Sequence, residues 1–444
     1  MSERIKGKKK PNPYKGLLSA FRNGSSATRL SFFVMGGGQI LRKQYVKGFI
    51  YLALQILFFV YLFGFGGQYL LHLFSGNLGT KISGEQWNDK LQIFEKVVGD
   101  NSFLILLYGV MSLVLIAVFF IVWAMNVKGS YENDLRLREG RELSSFREDL
   151  KSLANEKLYA PLLIIPFIGL LIFTVMPLLF MILIAFTNYD YRHQPPGKLF
   201  DWVGDQNFKA LFSLSGGTSS FAAVFLRVLA WTYIWAFLAT FTNYFLGLII
   251  ALMINKKGIR LKGLWRTLFV IAIAVPQFVT LLLMQKILDG DGILNKILGT
   301  SILWLGDGRY FSLLPRLMII LVNIWIGVPY TLLMCSGILM NIPNDYYEAA
   351  RIDGANRWQQ MLYITLPSLA FIIAVQLVMQ TGKMLQSNRD LILLLYRSSN
   401  ATMSDTIGTY VYRQCIEGGK YSLATAVGLS SSLISLALTI ITNK

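Results

Sequence analysis

Long apolar runs separated by short polar segments dominate this chain. A helix that crosses a membrane needs about 20 mostly apolar residues. Eight segments meet that requirement, at roughly 48–65, 102–126, 160–186, 228–254, 267–288, 313–340, 368–386 and 420–442. The pattern therefore predicts an all-α polytopic membrane protein with about eight transmembrane helices.

Two segments fit this pattern less well. The seventh run is interrupted by Gln376, Gln380 and Lys383. The segment from Ser31 to Ile40 is apolar but too short to cross. We expect it to lie in the membrane interface or to pack beneath the helix bundle.

Composition and charge support the membrane class and give an orientation. Hydrophobic residues form 54% of the 444 and charged residues only 15%, and a soluble chain of this length needs more polar surface. The net charge of +18 comes from basic residues next to apolar spans, which excludes a nucleic-acid-binding function. More than half of the 42 lysines and arginines fall in the N-terminal segment and in alternate loops. Because such loops stay in the cytoplasm, both termini are predicted to be cytoplasmic.

The spans and loops predict three segments. Residues 1–47 form a basic cytoplasmic segment with an interfacial helix. Residues 48–159 supply two accessory transmembrane helices and a cytoplasmic connector. Residues 160–442 form a six-helix core that contains a cytoplasmic loop at 341–367.

That loop has the local signals of two short helices. Pro343 suits a first helical turn, and Asp345 and Glu348 place negative charge near its positive end. Gly354 can take a positive φ and end the first helix. Arg357 to Thr365 is predicted to form the second helix. The sequence thus predicts a helix–turn–helix with a small-residue face and one exposed acid, and an ordinary solvated hairpin is the alternative.

The order Glu348-Ala349-Ala350, then Gly354, then Ile364-x-Leu366-Pro367 resembles the coupling loop of ABC importer permeases, specifically their carbohydrate-uptake branch. The resemblance implies the type I permease architecture, with a loop that fits into a cleft on a separate ATPase. It implies that the ATPase-coupling residues are Glu348, Ala349, Ala350, Asp353 and Gly354.

The sixth span carries candidates for a substrate site. Asn323, Gly327 and Tyr330 are spaced four and three apart and therefore share one helix face. Asparagine at membrane depth is costly unless it faces a partner or a water-filled path, and a tyrosine ring can stack on a sugar. The same residues could instead be interhelical packing. The segment resembles the larger permease of the maltose type, whose sugar site uses these positions; Gln277 replaces a serine of that site and is a fourth candidate.

Other chemistry has little support in the sequence. The chain has no Gly-x-x-x-x-Gly-Lys-Ser/Thr phosphate loop, no metal-ligand cluster around its two histidines, and no Asp or Glu within a predicted span. We therefore expect no catalytic residue, no metal and no cofactor in this chain. The alternative function is a self-sufficient secondary transporter or channel for a small polar solute, which would need an internal coupling-ion site.

The resemblance also implies partners and a location. It implies a second homologous permease, two ATPase subunits that bind ATP and Mg²⁺, and an extracellular lipid-anchored sugar-binding protein, all at a bacterial cell membrane. The substrate implied is an oligosaccharide of the maltodextrin type. Maltose permeases of Gram-negative bacteria carry a large insert where this chain has only a short outer loop at 187–225, which suggests the Gram-positive maltodextrin form.

Overall fold

The fold is mainly helical and is taken from a computed structural model that describes residues 13–89, 92–213, 220–256, 258–305, 313–369 and 405–442. Internal contacts group the chain into two units, Met1–Gly204 and Asp205–Lys444, which are described separately. The predicted segments 1–47, 48–159 and 160–442 are divisions of the sequence and stay predictions.

The first unit contains three short N-terminal helices, long apolar helices and one hairpin. Its elements are α1 Pro13–Asn23, α2 Ser26–Phe33, α3 Gly37–Leu41, α4 Tyr45–Tyr61, α5 Gly67–Phe74, β1 Gly84–Asn88, β2 Ile93–Val97, α6 Ser102–Arg138, α7 Phe146–Ala154, α8 Tyr159–Leu170 and α9 Met176–Ile184. π-helical turns at Leu62–Gly66 and Leu171–Val175 join α4 to α5 and α8 to α9. Each pair is therefore one long helix.

The second unit holds the remaining helices. They are α10 Gln206–Phe212, α11 Phe221–Asn255, α12 Lys262–Ala274, α13 Gln277–Ile287, α14 Ile293–Leu298, α15 Leu313–Asn341, α16 Asn344–Ile352, α17 Arg357–Gln360, α18 Ile407–Tyr412 and α19 Tyr421–Thr442. π-helical turns follow α17 at Met361–Thr365 and α18 at Arg413–Glu417.

Among the described residues, five helices are long and apolar enough to cross a membrane. They are Tyr45–Phe74, Ser102–Arg138, Tyr159–Ile184, Phe221–Asn255 and Leu313–Asn341, and they confirm the first, second, third, fourth and sixth predicted spans. The eighth corresponds to α19, whose apolar part is Tyr421–Ala437. The seventh, at 368–386, lies almost entirely outside the described residues.

The fifth predicted span is wrong as a single helix. Residues 267–288 divide between α12 and α13, whose axes differ by 91°. Val275 is extended, with φ −78° and ψ 127°, because the residue before a proline is pushed out of the helical region. Pro276 also has no N–H to continue the helix, so the break lies at this pair.

An antiparallel hairpin, β1 with β2, was not anticipated by the helical pattern. Trp87 lies opposite Phe94, and their ring centroids are 5.1 Å apart. Near the hairpin the carboxylate of Asp100 accepts the backbone N–H groups of Thr80 and Lys81, at 2.8 and 3.0 Å. These bonds lower the pKa of Asp100, because they stabilise its charged form.

The buried side of the segment from Ser31 to Ile40 packs on α6 of the helix bundle, as one of the two placements expected from the sequence requires. Asn126 of α6 accepts the N–H of Gly36 at 3.1 Å and donates to the carbonyl of Ser31 at 3.1 Å. Gly37, Gly38 and Gln39 are buried. Buried backbone N–H and C=O groups need hydrogen-bond partners, and Asn126 of α6 provides them for Gly36 and Ser31.

One hydrophobic core cluster of the second unit lies between α11, α13 and α15. Trp235 of α11, Leu281 of α13 and Ile319 of α15 are fully buried there. Between α11 and α15, a hypothetical Cβ at Gly247 would lie 2.6 Å from Cβ of Thr331. Small residues therefore allow these two helices to approach closely, which is a common way for membrane helices to associate.

Candidate coupling loop and intramembrane polar site

The loop after α15 is a folded helix–turn–helix. The first helix, α16, follows Pro343 and ends in a Schellman motif. Gly354, with φ +79°, donates to the carbonyl of Arg351 at 3.1 Å, and Ala355 donates to that of Ala350 at 2.8 Å. The prediction that Gly354 takes a positive φ and ends the helix is confirmed.

The second half of the loop is held by side-chain bonds. Asn356 and Gln359 form a capping box that starts α17. The hydroxyls of Tyr347 and Thr365 are 3.0 Å apart and join the two halves. The predicted second helix over Arg357 to Thr365 is present, but its last five residues are a π-helical turn. The capping box and the hydrogen bond between Tyr347 and Thr365 hold the two helices of the loop together.

The exposed surface of this loop carries acidic, basic and apolar side chains, the basic ones being Arg351 and Arg357. Glu348, Ala349, Asp353 and Gly354 are exposed and Ala350 is half-buried. The expectation of one exposed acid is wrong, because Asp345 is exposed as well as Glu348 and Asp353. Large apolar side chains are also exposed here, namely Tyr346, Ile352, Trp358 and Tyr363. Clustered apolar exposure beside polar residues is typical of a docking surface for another protein.

The four candidate substrate residues lie in different surroundings. Asn323 is 4% exposed, whereas Tyr330, about two turns further along α15, is 54% exposed. Gly327 lies against α11, where a hypothetical Cβ would be 2.5 Å from Cγ of Asn243 and closer still to its Nδ2. Gln277 is exposed at the first turn of α13, directly after the 91° break. The structure thus brings Gly327 to Asn243, a residue that the sequence reasoning missed.

Asn243 belongs to a buried polar seam, which we define as Thr240 and Asn243 of α11 with Asn323 and Thr331 of α15. All four side chains are less than a tenth exposed. Among the described residues, the carboxamide of Asn243 has no hydrogen-bond partner. An unsatisfied buried amide is costly, roughly 1–3 kcal/mol. The sequence signal for Asn243 is an asparagine in the middle of an apolar run. Whether such a residue is buried against another helix depends on how the helices pack.

A cavity of about 400 Å³ lies between α11, α12 and α15. Its walls are apolar and include Leu268, Trp325 and Val328. A neutral sugar needs hydrogen-bond partners for its hydroxyls, so this cavity does not offer the chemistry expected of the substrate site.

The sequence reasoning also missed two buried ion pairs. Nη2 of Arg42 is 2.8 Å from Oδ1 of Asp134, and Nε of Arg413 is 3.2 Å from Oδ2 of Asp405. Burial raises the pKa of Asp405 to about 6, although the nearby Arg413 acts in the opposite direction. Arg42 and Asp134 are 92 positions apart, and Asp405 and Arg413 lie between two predicted spans, so the analysis of spans gives no signal for either pair.

Comparisons with known proteins identify the family. The model of the family described as binding-protein-dependent transport system inner membrane component matches residues 243–443. The galactooligosaccharides transport system permease protein GanP of Bacillus subtilis is 32% identical over 425 residues, covering 91% of this chain and 94% of that one. The chain belongs to the permeases of binding-protein-dependent ABC importers. This confirms the resemblance found in the loop sequence.

Two further comparisons describe how far the permease resembles other members. The maltodextrin permease MalC of Streptococcus pneumoniae is 31% identical and covers 97% of this chain and 98% of that one. MalF of Escherichia coli is 29% identical, over only 54% of this chain and 48% of its own length. A crystal structure of a bacterial ABC transporter that imports alginate matches with a TM-score of 0.55 and 26% identity, covering 67% of this chain and 97% of that one. The permease is thus a non-enzymatic, multi-pass membrane subunit with the importer fold, and the ATPase is a separate component.

Proposed function

We propose that this permease is the larger of two homologous permeases in an importer of oligosaccharides of the maltodextrin type. An extracellular lipid-anchored binding protein delivers the sugar, and two ATPase subunits that hold ATP and Mg²⁺ drive transport. Both termini and the coupling loop face the cytoplasm of a bacterial cell. The observation that carries the proposal is full-length similarity to oligosaccharide permeases, 31% to the maltodextrin permease over 97% of the chain.

The folded coupling loop supports the energy-coupling part of the proposal. Its first helix presents Glu348, Ala349 and Asp353 to solvent, with Gly354 at the turn and Ala350 partly covered. A small-residue surface lets a partner's backbone approach closely, while the acids attract basic groups. The hydrogen bond between the hydroxyls of Tyr347 and Thr365 links the two halves of the loop, so a force on the first helix acts on the second half as well.

The polar residues of α15 support the substrate part. The buried Asn323 carries a carboxamide that can donate to and accept from sugar hydroxyls, and the exposed Tyr330 ring offers a stacking surface. Gly327 lies between them on α15 and is packed against Asn243 of α11. Gln277, exposed at the broken span, adds a second amide. A site of this kind suits a neutral polyhydroxylated ligand.

Uptake by the complete importer tests the proposal. The complex, reconstituted into proteoliposomes with its binding protein, should take up labelled maltotriose to maltoheptaose only when ATP is present inside. Asn323→Ala and Tyr330→Ala should each reduce uptake several-fold, with basal ATPase activity and sugar affinity of the binding protein unchanged. Each lost hydrogen bond costs roughly 0.5–1.5 kcal/mol, and loss of the tyrosine ring also removes stacking area. Uptake without ATP would contradict the proposal and favour a secondary transporter.

Galactooligosaccharides are the second candidate substrate, because the Bacillus subtilis permease that transports them is 32% identical to this chain. The same proteoliposomes should be offered labelled galactooligosaccharides in competition with maltodextrins. Preferential uptake of the galactose polymers would replace the maltodextrin assignment but leave the importer mechanism intact.

A further inference from the structure

The N-terminal helices have an unusual charge pattern. No Asp or Glu occurs between Arg4 and Gly84, whereas eleven lysines and arginines lie within residues 1–47. The three helices α1 to α3 with their connections, residues 13–44, are called the N-terminal platform below. Because α4 starts at Tyr45, the platform joins the first long apolar helix without a linker.

The platform is fixed to the end of α6 by one buried acid. The Asp134 carboxylate accepts the N–H of Ser25 at 2.5 Å and the hydroxyl of Thr28 at 3.0 Å, and it pairs with Arg42. Trp123 adds an indole N–H bond to the carbonyl of Phe32 at 2.9 Å. A buried charge with several partners holds its neighbours in one geometry, so the platform keeps a defined face turned outward.

The exposed side chains of the platform are apolar and basic. Leu18 is 77% exposed, Phe33 is 73% exposed, and Leu41 is exposed just before Tyr45 and Phe49 of α4, which are exposed too. Exposed apolar side chains therefore occur both on the platform and on the helix that follows it, which is long enough to cross the membrane. Arg22 and Lys43 are exposed on the same platform.

We propose that the N-terminal platform lies on the bilayer surface and binds anionic phospholipid headgroups through Arg22 and Lys43, with Leu18, Phe21 and Phe33 entering the headgroup boundary. Two observations select lipid as the occupant. The platform is continuous with a membrane-crossing helix, and its charge is basic with no acid of its own to repel a phosphate. The platform then anchors the end of α6 to the membrane surface through Asp134.

The test uses the complete importer in nanodiscs, with cysteine-free partner subunits. Leu18→Cys, in a chain that also carries Cys415→Ser and retains the buried Cys335, is labelled with an environment-sensitive fluorophore. The discs contain phosphatidylcholine with increasing phosphatidylglycerol. We expect a blue shift of emission that grows with phosphatidylglycerol and weakens in high salt, because the Debye length shortens.

Arg22→Gln with Lys43→Gln should raise the phosphatidylglycerol fraction needed for half the shift at least two-fold, since each basic residue near an anionic surface contributes roughly a five-fold factor in binding. Lys96→Gln with Lys209→Gln, which removes the same charge from exposed positions on β2 and α10, is the matched control and should leave the curve unchanged. An equal blue shift in pure phosphatidylcholine would overturn the preference for anionic lipid. No shift in either lipid would show that a protein subunit covers the face, which also overturns the proposal.

Discussion

Gly327 is the position where packing and substrate recognition make different predictions. Adding a methyl group there places a Cβ 2.5 Å from Cγ of Asn243, whose side chain is fully buried between α11 and α15. Overpacking of a close interface costs roughly 1–3 kcal/mol. Alanine regains about 0.5–1 kcal/mol of helix propensity relative to glycine. We therefore expect Gly327→Ala to destabilise the permease by about 1–2 kcal/mol.

Gly337→Ala is the control for this substitution. It lies on the same helix, and no heavy atom comes within 4 Å of its hypothetical Cβ. Helix propensity acts at both positions, whereas the steric clash exists only at Gly327. Thermal unfolding of the purified complex in detergent should therefore give a lower Tm for Gly327→Ala and an unchanged or higher Tm for Gly337→Ala. Equal Tm values for the two variants would refute the packing argument.

A double substitution separates packing from sugar binding. Asn243→Ala removes the carboxamide that the new methyl group would strike, so Asn243→Ala with Gly327→Ala should recover the Tm lost by Gly327→Ala alone. If oligosaccharide uptake stays low in this stable double variant relative to Asn243→Ala alone, Gly327 faces the substrate. If uptake returns with the Tm, Gly327 serves only to pack two helices, which is the alternative that the sequence left open.

Three further predictions test other parts of the structure. Glu348→Lys should abolish sugar-stimulated ATPase activity while membrane insertion stays normal, because reversed charge repels basic groups of the ATPase; unchanged stimulation would contradict the coupling role. Gly354→Val should weaken co-purification with the ATPase, since a β-branched residue at φ +79° is strained by about 1–2 kcal/mol, and Gly354→Asn should be milder. The raised pKa of Asp405, about 6, makes its stabilising contribution largest at low pH and lost as pH rises through 6. Wild-type stability should consequently fall by roughly 1–2 kcal/mol more than that of Asp405→Asn between pH 5 and 7.5, and parallel Tm curves would contradict this.

Local signals in the sequence were sufficient for much of the coupling loop. Gly354 acts on its own backbone torsions, so the end of α16 follows from residue type alone. Pro343, expected in the first turn, is instead the N-cap residue that precedes α16, with ψ 135°. The number of exposed acids could not be obtained in this way, because exposure depends on how the loop packs. Asp345 and Asp353 are exposed beside Glu348 for that reason.

The membrane class and most spans followed from run length, because a 20-residue apolar helix can satisfy both its backbone and its side chains within a bilayer. Pro276 marked a weak point in the fifth run, but the 91° angle between α12 and α13 depends on what each helix packs against. The pair Arg42 and Asp134 is separated by 92 positions in the chain. The contact of Gly327 with Asn243 likewise joins two different spans. The sequence by itself thus determined which segments enter the membrane, whereas the tertiary structure decided which buried polar groups meet, since such contacts depend on the rotation and spacing of packed helices.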